Sequence, residues 1–255
     1  MGDRFSELRS YIASLERVVV CFSGGLDSTV LMHICKEELG DGAIPIYVSV
    51  PMETQRTVAM VRDISDHLGF DTVVRHMDDR ISGIILQNTK ERCYLCKKAM
   101  YSEAIDLAYD LGIGYVLCGD NADDDESDRP GMKAGKELSI QSPFRKFGIG
   151  RKDIESYIDG LALPFPMVKD TCLLTRIPIG TEADETLMES IERMESCIRD
   201  IAGIAQIRAR VNGDTVGLQT SESELETLLA HLPEIDNVCK MEGFGTEVIR
   251  TSYKG

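Results

Sequence analysis

Val18-Val19-Val20-Cys21-Phe22-Ser23-Gly24-Gly25-Leu26-Asp27-Ser28 is the stretch that decides the fold of this chain. An apolar run short enough for a buried strand enters two glycines, and a helix-forming stretch follows directly. Gly24 and Gly25 let the backbone turn tightly and bring bare N–H groups close to an anion, while the next helix points its positive end at the same place. Ser23 and Ser28 add hydroxyl donors, and Asp27 is suited to hold a magnesium ion that bridges phosphate oxygens. The spacing is neither the Walker pattern, which ends Gly-Lys-Ser/Thr, nor G-x-G-x-x-G. The stretch reads as a phosphate cradle at the end of a strand.

Working outward, the pattern alternates. Residues 7–15 read as a short leading helix, and Val30, Leu31, Ile34 and Cys35 mark one face of the helix after the cradle. Residues 44–50 read as a second buried strand. Val58, Val61, Ile64, Ser65 and Leu68 give a helix that stops at Gly69. Residues 71–76 form a third strand, Met100 to Leu111 line another helix closed by Gly112, and residues 115–118 form a fourth strand. Such alternation predicts an α/β fold, a parallel sheet with helices on both faces, whose ligands gather beyond the carboxyl ends of the strands. SGGLDS, Pro51-Met52-Glu53-Thr54 and Gly119-Asp120-Asn121-Ala122-Asp123-Asp124 all begin at such ends.

Residues 120–135, rich in Asp, Gly and Pro, read as a long functional loop, with Asp123, Asp124 and Asp125 as a solvated charge run. Beyond it come a helix at 152–161, a segment marked by Pro164 and Pro166, and a long amphipathic helix carrying Leu187, Ile191, Met194, Ile198 and Ile201. The tail predicts a hairpin turning at Asn212-Gly213-Asp214, a helix at 222–232 and a final strand near 247–250. The expected division is a nucleotide domain over 1–180 and a small α+β domain over 181–255.

The chain has 255 residues, of which 43% are hydrophobic, so it is long enough for one large domain or a domain with an appendage. No apolar run suffices to cross a bilayer and the first residues lack a secretory apolar region, so a cytoplasmic location without a membrane partner is expected. A formal charge of −15 disfavours nucleic acid as a partner, because binders of phosphate backbones carry basic fields. Eight cysteines in a reducing compartment do not read as disulfides. Cys21 and Cys118, inside apolar strands, read as small buried hydrophobes. Cys35, Cys197 and Cys239 are isolated.

Cys93 and Cys96 form a C-x-x-C at a helix start, where the helix end together with Arg92, Lys97 and Lys98 favours thiolate. Alone, that pair is compatible with zinc, redox chemistry or coincidence. If the loop carrying Cys172 folds back over the sheet rim, three thiolates meet beside the nucleotide, a set that suits a [4Fe-4S] cluster with one iron left open to carry sulfide; the alternative is that the three cysteines are unrelated. Structural zinc usually takes a fourth ligand, and none of His33, His67, His76 and His231 offers itself as one.

SGGLDS resembles the PP-loop of the N-type ATP pyrophosphatases. SGGLDS, RCYLCKKAMY (92–101), GDNADD followed by DRPG (128–131), TCLLTRIPIGT (171–181) and QIRARVNGD (206–214) occur in this order in LarE-type sulfur transferases, and the resemblance spans roughly residues 6–219. It implies an enzyme that uses ATP and Mg²⁺ to adenylylate a carboxylate on a pyridinium mononucleotide precursor of the nickel-pincer cofactor. Sulfur then enters as a thiocarboxylate. It implies ATP contacts at Ser23, Gly24, Gly25, Asp27, Ser28, Gly119 and Asn121, with Asp27 on magnesium. Members carrying the extra C-x-x-C resemble cluster-bearing enzymes, which implies a [4Fe-4S] cluster on Cys93, Cys96 and Cys172. Arg176, Arg208 and Arg210, with Glu195, are implied as substrate contacts. Thr175 stands in place of a family serine, and Gly217 and Gln219 in place of an arginine and a glutamate. The implied partners are a nucleotide-like carboxylate, sulfide or another sulfur donor, and further copies of the chain in a homo-oligomer. A tRNA thiolase, an amide-forming ligase and a zinc-bearing nucleotide-binding protein are the competing expectations.

Overall fold

The computed structural model describes residues 2–125, 130–164, 167 and 170–251. Asp128 and Arg129 of the DRPG block, and Pro166, lie outside the described residues. Among those described, the chain forms two compact units. The first comprises Met1–Ile85 and Glu91–Asp170; the second comprises Leu86–Lys90 and Thr171–Gly255. The expected break after residue 180 falls inside the second unit, which also borrows five residues from the middle of the first.

In the first unit α1 (Gly2–Ala13) leads to β1 (Val18–Cys21), α2 (Leu26–Leu39), β2 (Ala43–Ser49), α3 (Gln55–Leu68), β3 (Val73–His76) and α4 (Asp79–Leu86). Then come α5 (Arg92–Asp110), β4 (Val116–Leu117), α6 (Gly131–Glu137), α7 (Pro143–Lys146) and α8 (Arg151–Asp159). The four strands make one all-parallel sheet in the order β3-β2-β1-β4. Strand alternation divides the buried residues between two faces. Val18, Val20 and Phe22 join Leu8 and Ile12 of α1, Leu31 and Ile34 of α2, and Ile154 and Ile158 of α8 in one apolar core. Val19, Ile46 and Val48 are buried on the other face. Helix stops follow the glycines: Gly69 caps α3 in the left-handed region at φ 69°.

Residues 120–135 are less open than their composition implies, since α6 occupies the second half. Asp123 and Asp124 are also not simply solvated. Asp123 Oδ2 accepts from the Arg151 N–H at 2.7 Å at the start of α8, and Asp124 Oδ2 accepts from the Asn121 N–H at 2.9 Å.

The second unit contains a 3-10 turn at Leu173–Arg176, α9 (Glu185–Ala202), β5 (Arg208–Asn212), β6 (Thr215–Thr220), α10 (Leu225–Ala230), α11 (Leu232–Met241) and β7 (Gly245–Thr251). Its sheet runs β5-β6-β7, with the predicted hairpin antiparallel and β7 parallel to β6. The borrowed segment is held by Asn88, wholly buried, with a positive φ of 56°. Its Nδ2 donates to the Pro178 carbonyl at 2.9 Å, and its own carbonyl accepts from the Gly180 N–H at 2.9 Å.

Candidate functional site

A cavity of about 260 Å³ opens in the first unit at the carboxyl ends of β1 and β4, just below the range of roughly 300–1,000 Å³ for small-molecule sites. Ser23, Gly24, Gly25, Asp27 and Ser28 line it, as expected for the cradle. Gly24 has φ 68°, and a Cβ there would sit 2.9 Å from Val61 Cγ2 and 3.2 Å from the Val61 nitrogen of α3. Both facts demand glycine. Gly119 is equally constrained: a Cβ would fall 2.9 Å from the Ser28 nitrogen and 3.0 Å from the Asp27 carbonyl carbon. The end of β4 thus presses directly on the first turn of α2.

Gly25 is the N-cap of α2 and brings no side chain to the first-turn N–H groups of this 14-residue helix. Those groups and the helix dipole suit the site to an anion. Ser28 ties the loop together, its Oγ accepting from the Ser23 N–H at 3.2 Å, lying 3.1 Å from Ser23 Oγ and donating to the Gly25 carbonyl at 3.0 Å.

Asp120, from the loop expected at this rim, lines the cavity, and three cations and a carboxylate that the sequence reading did not place here complete the wall: Arg56, Lys97, Arg151 and Asp170. Arg151 Nη1 is 3.7 Å from Asp27 Oδ2. Thr54 Oγ1 donates to Asp170 Oδ2 at 2.8 Å while capping α3 through the Thr57 N–H. A sequence signal did exist for two of the cations. Arg56 and Arg151 stand in the first turns of α3 and α8, where the helix dipole disfavours positive charge unless an anion answers it.

Other expected residues sit elsewhere. Asn121 is buried and is not part of the cavity wall; its Oδ1 accepts from the Asp123 N–H at 2.9 Å and shapes the loop. Of the PMET loop, Glu53 is occupied by Tyr47, by Ser49 Oγ at 2.7 Å and by the Val50 N–H at 3.1 Å. Cys21 and Cys118 do line the cavity, and burial pushes the Cys21 thiol up to about 12 and the Cys118 thiol upward too. They remain neutral apolar wall, in line with the reading of their strands.

Cys93 and Cys96 occupy the first turn of α5, Cys93 exposed and Cys96 half-buried. For Cys96, burial works against the expected thiolate character. Burial pushes its thiol up to about 11 and outweighs the opposing pull of Lys97. Lys98 is turned to Tyr94 Oη at 3.0 Å and Glu137 at 3.1 Å. Cys172, exposed, is in the second unit, at the N-cap of the 3-10 turn. Among the described residues of each unit, no group of three or more His, Cys, Asp or Glu converges on a metal position.

Arg176 and Glu195 lie inside the second unit, each 1% exposed, as a bidentate pair at 2.8 and 2.9 Å. Arg208 and Arg210 share one face of β5, opposite Gln219 and Gly217 respectively, and Arg210 Nε donates to Gln219 Oε1 at 2.5 Å.

Residues 17–129 match the model of the phosphoadenosine phosphosulfate reductase domain, a domain of the PP-loop superfamily. Three proteins resemble the chain along most of their length. An uncharacterized protein of Methanocaldococcus jannaschii is 29% identical over 90% of this chain and 87% of its own. An uncharacterized protein of Synechocystis sp. is 24% identical over 100% of this chain and 95% of its own. Pyridinium-3,5-bisthiocarboxylic acid mononucleotide synthase of Lactiplantibacillus plantarum is 25% identical over 96% of this chain and 89% of its own.

Proposed function

We propose that this chain, which carries a PP-loop-superfamily domain, is an ATP-dependent sulfur transferase acting on a carboxylate of a pyridinium mononucleotide. The observation that carries the reading is the cavity at the carboxyl ends of β1 and β4, where a glycine-hinged serine loop, the start of α2 and three cations face one space. The M. jannaschii and Synechocystis proteins bring no activity to the argument. The L. plantarum relative is named for a product with two thiocarboxylates, which supplies the substrate class.

A carboxylate is a poor electrophile and its oxygen a poor leaving group, so sulfur cannot displace it directly. Attack of the carboxylate oxygen on the α-phosphorus of ATP forms the acyl adenylate and expels pyrophosphate. Hydrosulfide then adds at the acyl carbon, and the C–O bond breaks to give thiocarboxylate, AMP and a proton. In this scheme Ser23 and the first N–H groups of α2 hold phosphate oxygens, Asp27 holds Mg²⁺, and Arg151 and Lys97 offset the charge that builds as pyrophosphate departs.

Cys93, Cys96 and Cys172 fit an iron–sulfur group by donor chemistry, being soft ligands with two of them exposed. A [4Fe-4S] cluster held by them supplies, when bound, an iron without a protein ligand that can carry the sulfur to be transferred. Arg208 and Arg210, which share one face of β5, are the residues proposed to take the acceptor's phosphate. A homo-oligomer is part of the same proposal.

The test is anaerobic purification with iron, zinc and acid-labile sulfide counted per chain, alongside pyrophosphate release with ATP and a pyridinium dicarboxylate mononucleotide. Iron and sulfide near four per chain, with acceptor-dependent pyrophosphate release, is the expected result. One zinc without sulfide overturns the cluster, and release stimulated by bulk tRNA instead of the mononucleotide overturns the substrate class.

A further inference from the structure

We propose that Arg176 and Glu195 are positioning residues for Cys172: a buried ion pair that fixes the turn presenting the thiol, with neither side chain touching substrate. The role of the thiol rests on the function proposed above, whereas the architecture of the turn lies wholly within the second unit. Arg176 has its donors divided between two targets. Nε and Nη2 take both oxygens of Glu195, while Nη1 reaches the carbonyl and the Oγ1 of Thr171, each at 2.6 Å, Thr175 Oγ1 at 3.1 Å and the Cys172 carbonyl at 3.4 Å. The planar guanidinium fork makes this division rigid.

Thr175 closes the turn from the other side. Its N–H and its Oγ1 both donate to the Cys172 carbonyl, at 2.9 and 2.8 Å. The backbone of Cys172 is thereby held by two residues while the residue itself stays exposed. Glu195 extends the same control to the strand, since its Oε1 accepts from the Ala209 N–H at 2.9 Å, between Arg208 and Arg210. Arg210 in turn donates through Nη1 to the Thr175 carbonyl at 2.6 Å. One buried carboxylate therefore registers both the thiol-bearing turn and the arginine-bearing strand.

An arginine 1% exposed cannot meet a substrate phosphate without giving up its bidentate pairing to the buried Glu195, which would keep only the more distant Arg199 at 3.9 Å as a cationic partner. Positioning is what the geometry offers instead, and misplacing a reacting atom by about 1 Å can cost about 100-fold in rate.

Hydrogen exchange in the full-length protein tests the architecture without any need for activity. In Glu195→Gln the Thr175 and Ala209 amides should exchange about tenfold faster or more, with amides of α10 and α11 unchanged. Thr175→Val, which leaves the ion pair intact, should accelerate the Thr175 amide in the same direction by less. Unchanged exchange at Thr175 in both variants, or a uniform acceleration across the second unit, overturns the proposal. Kinetics with a pyridinium dicarboxylate mononucleotide and sulfide then separate positioning from substrate contact. Positioning predicts that kcat for thiocarboxylate formation falls about tenfold or more in Glu195→Gln, with the acceptor KM within about twofold and pyrophosphate release retained. A KM about tenfold higher at unchanged kcat overturns it. Should the wild-type protein form no thiocarboxylate, the proposed function has failed and the exchange data alone decide this inference.

Discussion

Gly24 and Gly25 are neighbours in the cradle, yet alanine should affect them very differently. At Gly24 the φ of 68° costs an L-residue about 1–2 kcal/mol. The new methyl would also meet Val61 at 2.9 Å on its side chain and 3.2 Å on its backbone nitrogen, so a rotamer change alone brings no relief. Overpacking of this kind costs about 1–3 kcal/mol, and the two effects together come to about 2–5 kcal/mol. At Gly25 the φ is −78°, and a Cβ lies 3.4 Å from Ser23 Oγ, an ordinary contact. Alanine there should cost no more than about 1 kcal/mol, as a poorer N-cap than glycine. Urea unfolding followed by far-ultraviolet circular dichroism measures both variants, and calorimetric titration with ATP and Mg²⁺ measures the cradle. Gly24→Ala should also bind ATP at least about tenfold more weakly, because relief of the contact must shift the loop. A difference in stability between the variants under about 0.5 kcal/mol, the spread of neutral substitutions, would refute the reasoning.

Asp27→Asn should lower acceptor-dependent pyrophosphate release by about 100-fold, the scale for losing one preorganised electrostatic group, with unfolding unchanged; retained release removes Asp27 from the magnesium role. Cys172→Ala should abolish thiocarboxylate formation and keep pyrophosphate release, and loss of both would assign Cys172 to adenylylation or folding. Burial, followed by the charge of Arg9, lowers the His33 pKa below 6.5 despite the opposing pull of Glu37. The folded protein then binds this proton less readily than the unfolded chain, so the contribution of His33 is intact above about pH 6.5 and fades as the pH falls through its folded value. A proton NMR titration of the His33 ring that gives a value above 6.5 contradicts this. Asn88→Ala should destabilise the second unit by about 1–3 kcal/mol, because carbonyls that accept from Asn88 lose a buried donor; an unchanged melting transition for that unit is the opposing result.

The order of strands and helices in the first unit was legible because local rules govern it. Valines 18–20 end at a glycine hinge, and Gly69 and Gly112 mark where helices stop. The cradle was legible for the same reason. What escaped was built from distant pairings. Arg56, Lys97 and Arg151 meet in one wall only because the sheet brings the starts of three helices to one side. Pro233 resembles a helix stop in sequence, but it sits in the first turn of α11, where a missing N–H costs nothing, so that helix was not foreseen. Arg176 was expected as a substrate contact within TCLLTRIPIGT; its partner Glu195, 19 residues on, makes it an interior residue. The charged residues of residues 120–135 gave no hint that Asp123 and Asp124 are spent on backbone N–H groups.

The five residues that leave the first unit at Leu86 and return at Glu91 have a consequence for the order of events during synthesis. They emerge from the ribosome some 90 residues ahead of Pro178 and Gly180, their partners in the second unit, and at about 5–20 residues per second that interval lasts roughly 5–20 s. Through that time the Asn88 side chain has not yet met the Pro178 carbonyl it donates to in the finished fold, so this stretch can take its final place only after the remainder of the first unit has been made.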